Sequence, residues 1–303
     1  MLYDAITENK RRSALMIAGF VAVVFVVATI ITYLAHFGAI GILVAAVFAG
    51  ASAFASYFNS DKIALAASRA KPADEQVYRR YHNLVEGLCI AAGLPKPRLY
   101  VIDDPSPNAF ATGRDPKHAA VAVTSGLLEK MNRVELEGVL AHELSHVKNY
   151  DILVMTLAVT MIGMIALMSD IFLRWAFWGN VGLDRNDSND SDVGSLLAVV
   201  GLIFVALSPL IARLMQMAIS RQREYLADAS GVMLTRYPPG LISALEKLKD
   251  DGTIVHTASK ATAHMWIESP LDMHADRRRK YDSLFATHPP IAARIRALEG
   301  SGP

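Results

Sequence analysis

The sequence predicts a mostly α-helical, multi-pass membrane protein with one small β-sheet. Three features carry that expectation: long uncharged apolar segments arranged in two pairs, short β-like runs bounded by turn residues, and a helical stretch with two histidines four residues apart. The chain has 303 residues, of which 52% are hydrophobic. That exceeds the share in an ordinary soluble domain, so part of the surplus is expected in a bilayer. A net charge of +1 lacks the clustered Lys and Arg of a phosphate-binding footprint, which sets nucleic acid aside as a partner. The single cysteine, Cys89, can form neither an intramolecular disulfide nor a thiolate cluster, in keeping with a reduced compartment.

The first apolar segment, "SALMIAGFVAVVFVVATIITYLA" at 13–35, is uncharged and crosses about 30 Å of hydrocarbon at 1.5 Å per residue. The second, 39–58, is also uncharged and carries Gly41, Ala45, Ala46, Ala49, Gly50 and Ala53, small residues that let helix backbones approach in lipid. Only His36, Phe37 and Gly38 separate them, so 13–58 is expected to form a transmembrane hairpin. A cleaved signal peptide is disfavoured because the apolar run exceeds the usual 7–15 residues and a second span follows at once. The third and fourth segments, 152–173 and 195–212, contain Asp170 near one end and Ser208-Pro209 as an interruption, and are read as membrane helices by length. Lys10, Arg11, Arg12, Lys62, Arg69, Lys71, Lys148, Arg213, Arg221 and Arg223 flank the segments on one side. The positive-inside bias puts that side in the cytoplasm, with the Asn/Asp/Ser-rich loop 174–194 outside and Trp175 and Trp178 as interfacial anchors.

Two hydrophilic stretches, 59–151 and 213–303, then face the cytoplasm and are expected to fold as one domain, since neither alone supports a comfortable core. Apolar spacing at Val77, Tyr81, Leu84, Val85 and Leu88 predicts a helix over 72–92, stopped by "GLPKP". "RLYVI", "NAFAT" and "AAVAVT" read as strands, separated by the turn-forming "DDPSP" and "GRDPKH". Asn132 with Glu135 three residues on is a capping pair for a helix through "RVELEGVLAHELSHVKNY".

On that helix His142 and His146 project from one face and can share one Zn2+ at about 2.0–2.1 Å, with Glu143 beside the metal as a proton acceptor. A catalytic zinc site has three protein ligands and an open position, so a third must come from elsewhere. The metzincin extension needs a glycine at 149 and a histidine at 152, where the chain has Asn149 and Ile152. A later helix, "SRQREYLADASGVMLT", offers Glu224 and Asp228 on one face. Glu224 would ligate, and Asp228 would accept a hydrogen bond from the far nitrogen of a ligand imidazole, fixing its tautomer.

"AHELSHVKNYD", "REYLADA" and "THPPIAARI", with two spans before the zinc motifs and two between them, resemble the HtpX-type membrane metalloproteases, relatives of the CaaX prenyl proteases. The resemblance implies a gluzincin-like zinc endopeptidase fold on a four-helix membrane part in a bacterial plasma membrane. It implies polypeptide substrates, membrane proteins under quality control, with Glu224 as third ligand. It also implies that "PNAFATG" is an edge strand beside the site, making Asn108, Ala109 and Phe110 candidate substrate contacts, and that His288 lies near the zinc. In the expected reaction Glu143 accepts a proton from water and delivers it to the departing amine, while His288 meets the developing oxyanion or, alternatively, caps the helix after Pro289. A peptide would pair with the strand at 108–112. The competing class is a membrane scaffold with a structural zinc; a transporter is disfavoured by the lack of buried charge in the spans apart from Asp170. His36, His82, His118, His256, His264 and His274 are read as ordinary surface or core residues, and "RRRK" at 277–280 as a solvated helix face.

Overall fold

Small residues at every fourth position of the second apolar segment build a helical hairpin in the computed structural model, which describes residues 2–34, 38–161, 221–253, 262, 265–268 and 289–300. Helix α1 (Leu2–Leu34) packs along helix α2 (Gly38–Ala67), and both are long and apolar enough to cross a membrane. Gly41, Ala45, Ala49 and Ala53 are buried, whereas Ile40, Leu43, Val44, Val47, Phe48 and Phe54 are exposed, the pattern of a helix pair with a lipid-facing side. The expected spans 152–173 and 195–212 and the loop 174–194 lie outside the described residues beyond Met161.

Both helices outrun the expected boundaries, because their polar ends pack on the second unit. α1 begins at Leu2, not at residue 13, and α2 continues past residue 58 to Ala67. Ser60, Asp61, Ala64 and Leu65 are buried there, and Arg98 donates to Asp61. The division at residue 58 between hairpin and soluble domain therefore falls inside one helix.

The sheet holds β1 (Lys71–Pro72), β2 (Arg98–Ile102), β3 (Ala109–Gly113) and β4 (Ala119–Thr124) in the order β1-β2-β4-β3. β2 runs parallel to β4, with Leu99 opposite Val121, and β3 runs antiparallel to it, with Phe110 opposite Ala122. Every residue of β4 is buried because both faces are covered, which explains its uninterrupted small apolar run. One face packs on the soluble core through Val121 and Val123; the other, through Ile102, Phe110, Ala120 and Ala122, meets Ala64 and Leu65 of α2.

Helix α3 (Arg79–Ala92) starts later than the expected residue 72. The Asp74 carboxylate accepts from the N–H groups of Gln76 and Val77 at 2.8 and 3.0 Å, turning the chain there. Val77 is consequently 71% exposed and lies off the apolar face that Tyr81, Leu84, Val85 and Leu88 form. After α4 (Ser125–Lys130) comes α5 (Arg133–Lys148), opened by a capping box in which Asn132 accepts from the Glu135 N–H and Glu135 accepts from the Asn132 N–H. Ser243 and Lys247 also donate to the Glu135 carboxylate, at 2.8 and 2.6 Å, fastening the start of α5. α5 is the buried axis of the domain. It does not run straight into the third apolar segment: Tyr150, at φ 61°, breaks the chain before α6 (Asp151–Met161). Leu153, Val154, Leu157 and Ala158 of α6 then join Met16, Phe20 and Val24 of α1 in a second apolar cluster. α7 (Arg221–Thr235), α8 (Pro238–Asp250) and α9 (Ile291–Glu299) close the soluble unit around α5.

Candidate metal centre

The site forms where α5 and α7 come close enough for their backbones to touch. A Cβ on Gly231 would lie 3.0 Å from the His142 backbone nitrogen, so any larger residue would press the two backbones apart by a few tenths of an ångström. This approach brings Glu224, seven residues earlier on α7, over the histidine face of α5. His142 Nε2 lies 3.7 Å from Glu224 Oε2, His146 Nε2 lies 3.6 Å from Glu224 Oε1, and the two Nε2 atoms are 3.1 Å apart. Ligands at about 2.05 Å around a tetrahedral ion stand about 3.3 Å from each other, so these spacings bracket those a zinc-sized ion requires.

The outer nitrogens identify which face of each ring is free for a metal. His142 Nδ1 is 2.9 Å from Asp228 Oδ1, and His146 Nδ1 is 2.9 Å from Asp151 Oδ2. With a carboxylate oxygen as its partner each Nδ1 carries a proton, which leaves Nε2 of each ring turned inward with a lone pair for a metal or for a second proton. Two such lone pairs 3.1 Å apart repel unless a cation or a proton lies between them, and with Glu224 they make a donor set for a divalent metal. The residues present therefore fit the group.

Electrostatics agree with that geometry. Burial pulls the His146 imidazole down, but the Asp151 hydrogen bond and the carboxylates of Glu224 and Glu143 outweigh it and push it up to about 9, so a proton and a metal compete for this ring. His142 is lowered, chiefly by burial. Burial would raise Asp228, yet Arg294 and His142 overcome it and hold the carboxyl at about 2. Glu143 is 1% exposed, and burial first, then the Glu224 charge, lift it to about 7 against the pull of His146 and Arg294. Its carboxylate accepts from the Ala111 N–H of β3, while Oε2 has no protein hydrogen-bond partner among the described residues. A carboxyl poised near neutrality, beside three metal donors and with one oxygen uncommitted, is suited to move a proton.

The structure thus brings together His142, Glu143, His146, Glu224 and Asp228. Asn108, Ala109 and Phe110 are also close, since β3 touches Glu143, but all three are fully buried and do not present an open edge. Outward groups at both ends of β3 are engaged: Ala109 O accepts from Ile267 N at 3.0 Å, and the Gly113 N–H donates to Thr156 Oγ1 at 3.2 Å. The Asn108 amide donates to Glu268 O at 2.9 Å and accepts from Glu268 N at 3.3 Å, copying a strand partner. β3 is the expected edge strand, and residues 267–268 occupy that edge at Asn108 and Ala109; the sequence offers no local sign that a segment 160 positions away would lie there. His288 lies outside the described residues, as do His36, His256, His264, His274 and 277–280. His82 and His118 bond locally, to Ala73 O and Asp115, away from the site.

Two functional side chains escaped the sequence reading. Asp151 directs His146 from just beyond the end of α5. Arg294 is fully buried: its Nε and Nη2 donate to the two oxygens of Asp228 at 2.8 and 2.6 Å, and its Nη1 donates to Ile267 O at 3.0 Å. The same guanidinium stands 3.8 Å from Glu224 Oε2. A signal existed in "IAARIRAL", where Arg294 occupies the apolar stripe of Ile291, Ile295 and Leu298, a place for a charge only if a partner awaits it.

Comparison with known proteins places this arrangement in context. Residues 75–301 match peptidase family M48. A protease HtpX homolog of Caldanaerobacter subterraneus subsp. tengcongensis is 46% identical over 298 residues, covering 98% of this chain and 97% of that protein. Another, of Dictyoglomus thermophilum, is 43% identical over 300 residues, with 99% and 95% covered. The crystal structure of S. mikatae Ste24p shares the fold at a TM-score of 0.51 and 19% identity; the likeness spans 98% of this chain and 66% of that one.

Proposed function

This chain belongs to peptidase family M48 and is a metallopeptidase, and from that premise we propose that it is a membrane-anchored zinc endopeptidase that cleaves misfolded or damaged membrane proteins at the cytoplasmic surface. The observation that carries the chemistry is the convergence of His142, His146 and Glu224 with Glu143 beside them. One zinc held by those three side chains supplies Lewis acidity, which acidifies water and polarises a carbonyl.

The protein's own groups do the rest. Glu143 takes a proton from the attacking water as a C–O bond forms at the scissile carbonyl, and returns it to the amine nitrogen as the C–N bond breaks. Buried beside the three donors with one oxygen uncommitted, it is placed to hold and release that proton, and the Ala111 N–H keeps the carboxyl aimed. Asp228 and Asp151 hold the tautomers that leave both Nε2 atoms available, and Arg294 keeps Asp228 ionised and in place. His288 is our candidate donor to the oxyanion; it directly precedes Pro289, and α9, which follows, carries Arg294 into the site.

The substrate is a polypeptide strand lying beside β3. Asn108, Ala109 and Phe110 could contact it directly only once Ile267 and Glu268 leave the edge they occupy. The cytoplasmic orientation rests on the basic flanks at 10–12 and 62–71, and the membrane location on the lipid-facing side of α2. The purified chain in detergent should hold one zinc and cut an unfolded membrane protein, lose that activity to a chelator, and regain it with added zinc. Cleavage indifferent to the chelator would refute the proposal.

A further inference from the structure

We propose that Asn9, on the first membrane helix, is a positioning residue of the metal centre: by holding Asp151 it sets how tightly His146 binds metal. This inference rests on the zinc reading above.

Asn9 is 2% exposed and sits one turn ahead of the apolar part of α1. Its Nδ2 donates to Asp151 Oδ1 at 2.6 Å and to Asn149 O at 2.9 Å, while its Oδ1 accepts from Arg223 Nη1 at 3.2 Å. Asp151 uses its other oxygen for His146 Nδ1, at 2.9 Å. Arg223 immediately precedes Glu224 on α7, and its Nε stands 3.9 Å from Asp151 Oδ1. One amide therefore touches the turn that orients the second histidine and the residue next to the carboxylate ligand. Lys10, the next residue of α1, places Nζ 4.5 Å from the centre of the Tyr150 ring, in the same α5–α6 turn.

The residue type matches the task. Only a side chain that donates and accepts can serve a carboxylate and a guanidinium together. An aspartate there would set a second anion against Asp151, and an alanine would leave a buried carboxylate oxygen short of a donor. Attachment of α1 does not require the amide, because Met16, Phe20, Val24 and Val27 already bury themselves against α6 through Leu153, Val154 and Leu157. A buried polar group that packing does not need, bonded to the partner of a ligand, belongs to the metal site.

The test uses the full chain in detergent, loaded with zinc, and follows transfer of the metal to a chromogenic chelator, with the visible spectrum of the Co2+-substituted protein as a second readout. Loss of an outer-shell partner weakens metal binding about 10–100-fold, so Asp151→Ala should fall in that range and Asn9→Ala, one bond further out, at about 3–10-fold. Asn9→Ser should lie between Asn9→Ala and the parent, and serves if the alanine variant does not fold. Because Asn9 acts through Asp151, the double variant should release zinc no faster than Asp151→Ala alone. Phe20→Ala, in the apolar contact, should lower thermal stability and leave zinc release and the Co2+ spectrum unchanged. The proposal is overturned if Asn9→Ala and Asn9→Ser release zinc at the parent rate, if the two substitutions multiply, or if Phe20→Ala speeds release as much as Asn9→Ala. A parent chain that takes up no zinc would bring down the zinc reading itself, a result distinct from a parent that holds zinc and variants that match it.

Discussion

Replacing Glu143 by glutamine separates the chemistry of that residue from its structural cost. In the metal-free protein the carboxyl is raised from its ordinary 4.5 to about 7 because it is buried beside Glu224. The folded chain thus holds this proton more tightly than the unfolded one, so stability is lost as pH climbs from 4.5 to 7 and stays lost above. At about 1.4 kcal/mol per factor of ten, the loss amounts to about 3 kcal/mol at pH 7 to 8 and about 1 kcal/mol at pH 5. Glutamine has the same shape and still offers the Ala111 N–H an oxygen, but carries no charge to desolvate. Metal-free Glu143→Gln should therefore be the more stable protein, by an amount that grows with pH and vanishes below about pH 4. The same variant should keep its zinc and lose about 10²–10⁴ of its peptidase rate. Thermal melts of chelator-treated parent and variant at pH 5 and pH 8, with metal content and cleavage rate measured on the loaded proteins, check each part. A stability gain equal at both pH values, or a variant keeping more than about a tenth of the rate, would refute the reasoning.

Other outcomes follow from the same geometry. Arg294→Met should cost about 3–5 kcal/mol in denaturant unfolding, because it strands the buried Asp228 carboxylate, and Arg294→Lys should not restore it, since an ammonium cannot span both oxygens. Gly231→Ala should push α7 off the His142 backbone, destabilise the fold by about 1–3 kcal/mol and weaken zinc binding in a chelator competition. With His146 near 9 in the metal-free site, zinc displaces a proton, so affinity should fall about tenfold per pH unit from pH 8 to pH 6 in competition titrations. A cysteine introduced at Ser188 should react with an impermeant maleimide in sealed cells and one at Ile90 only after permeabilisation; labelling of Ile90 in sealed cells, or of Ser188 only after permeabilisation, would reject the orientation.

Features with a short period along the chain were legible before any coordinates. The fourfold spacing of small residues from Gly41 to Ala53, the histidines one turn apart on α5, the Asn132–Glu135 cap, and Glu224 and Asp228 on one face of α7 each need only the geometry of a single helix. Even the strands β2, β3 and β4 announced themselves by composition and turns. What only the assembled molecule decides are encounters between distant segments, where energy depends on which polar group is buried against which. Asn9 meets Asp151, Arg294 meets Asp228, and Glu268 covers Asn108 across separations of 142, 66 and 160 positions. The local sequence does not name the partner of an asparagine or an arginine, and Glu268 meets Asn108 through its backbone; such burial is favourable only after tertiary packing has removed water and supplied the complementary group.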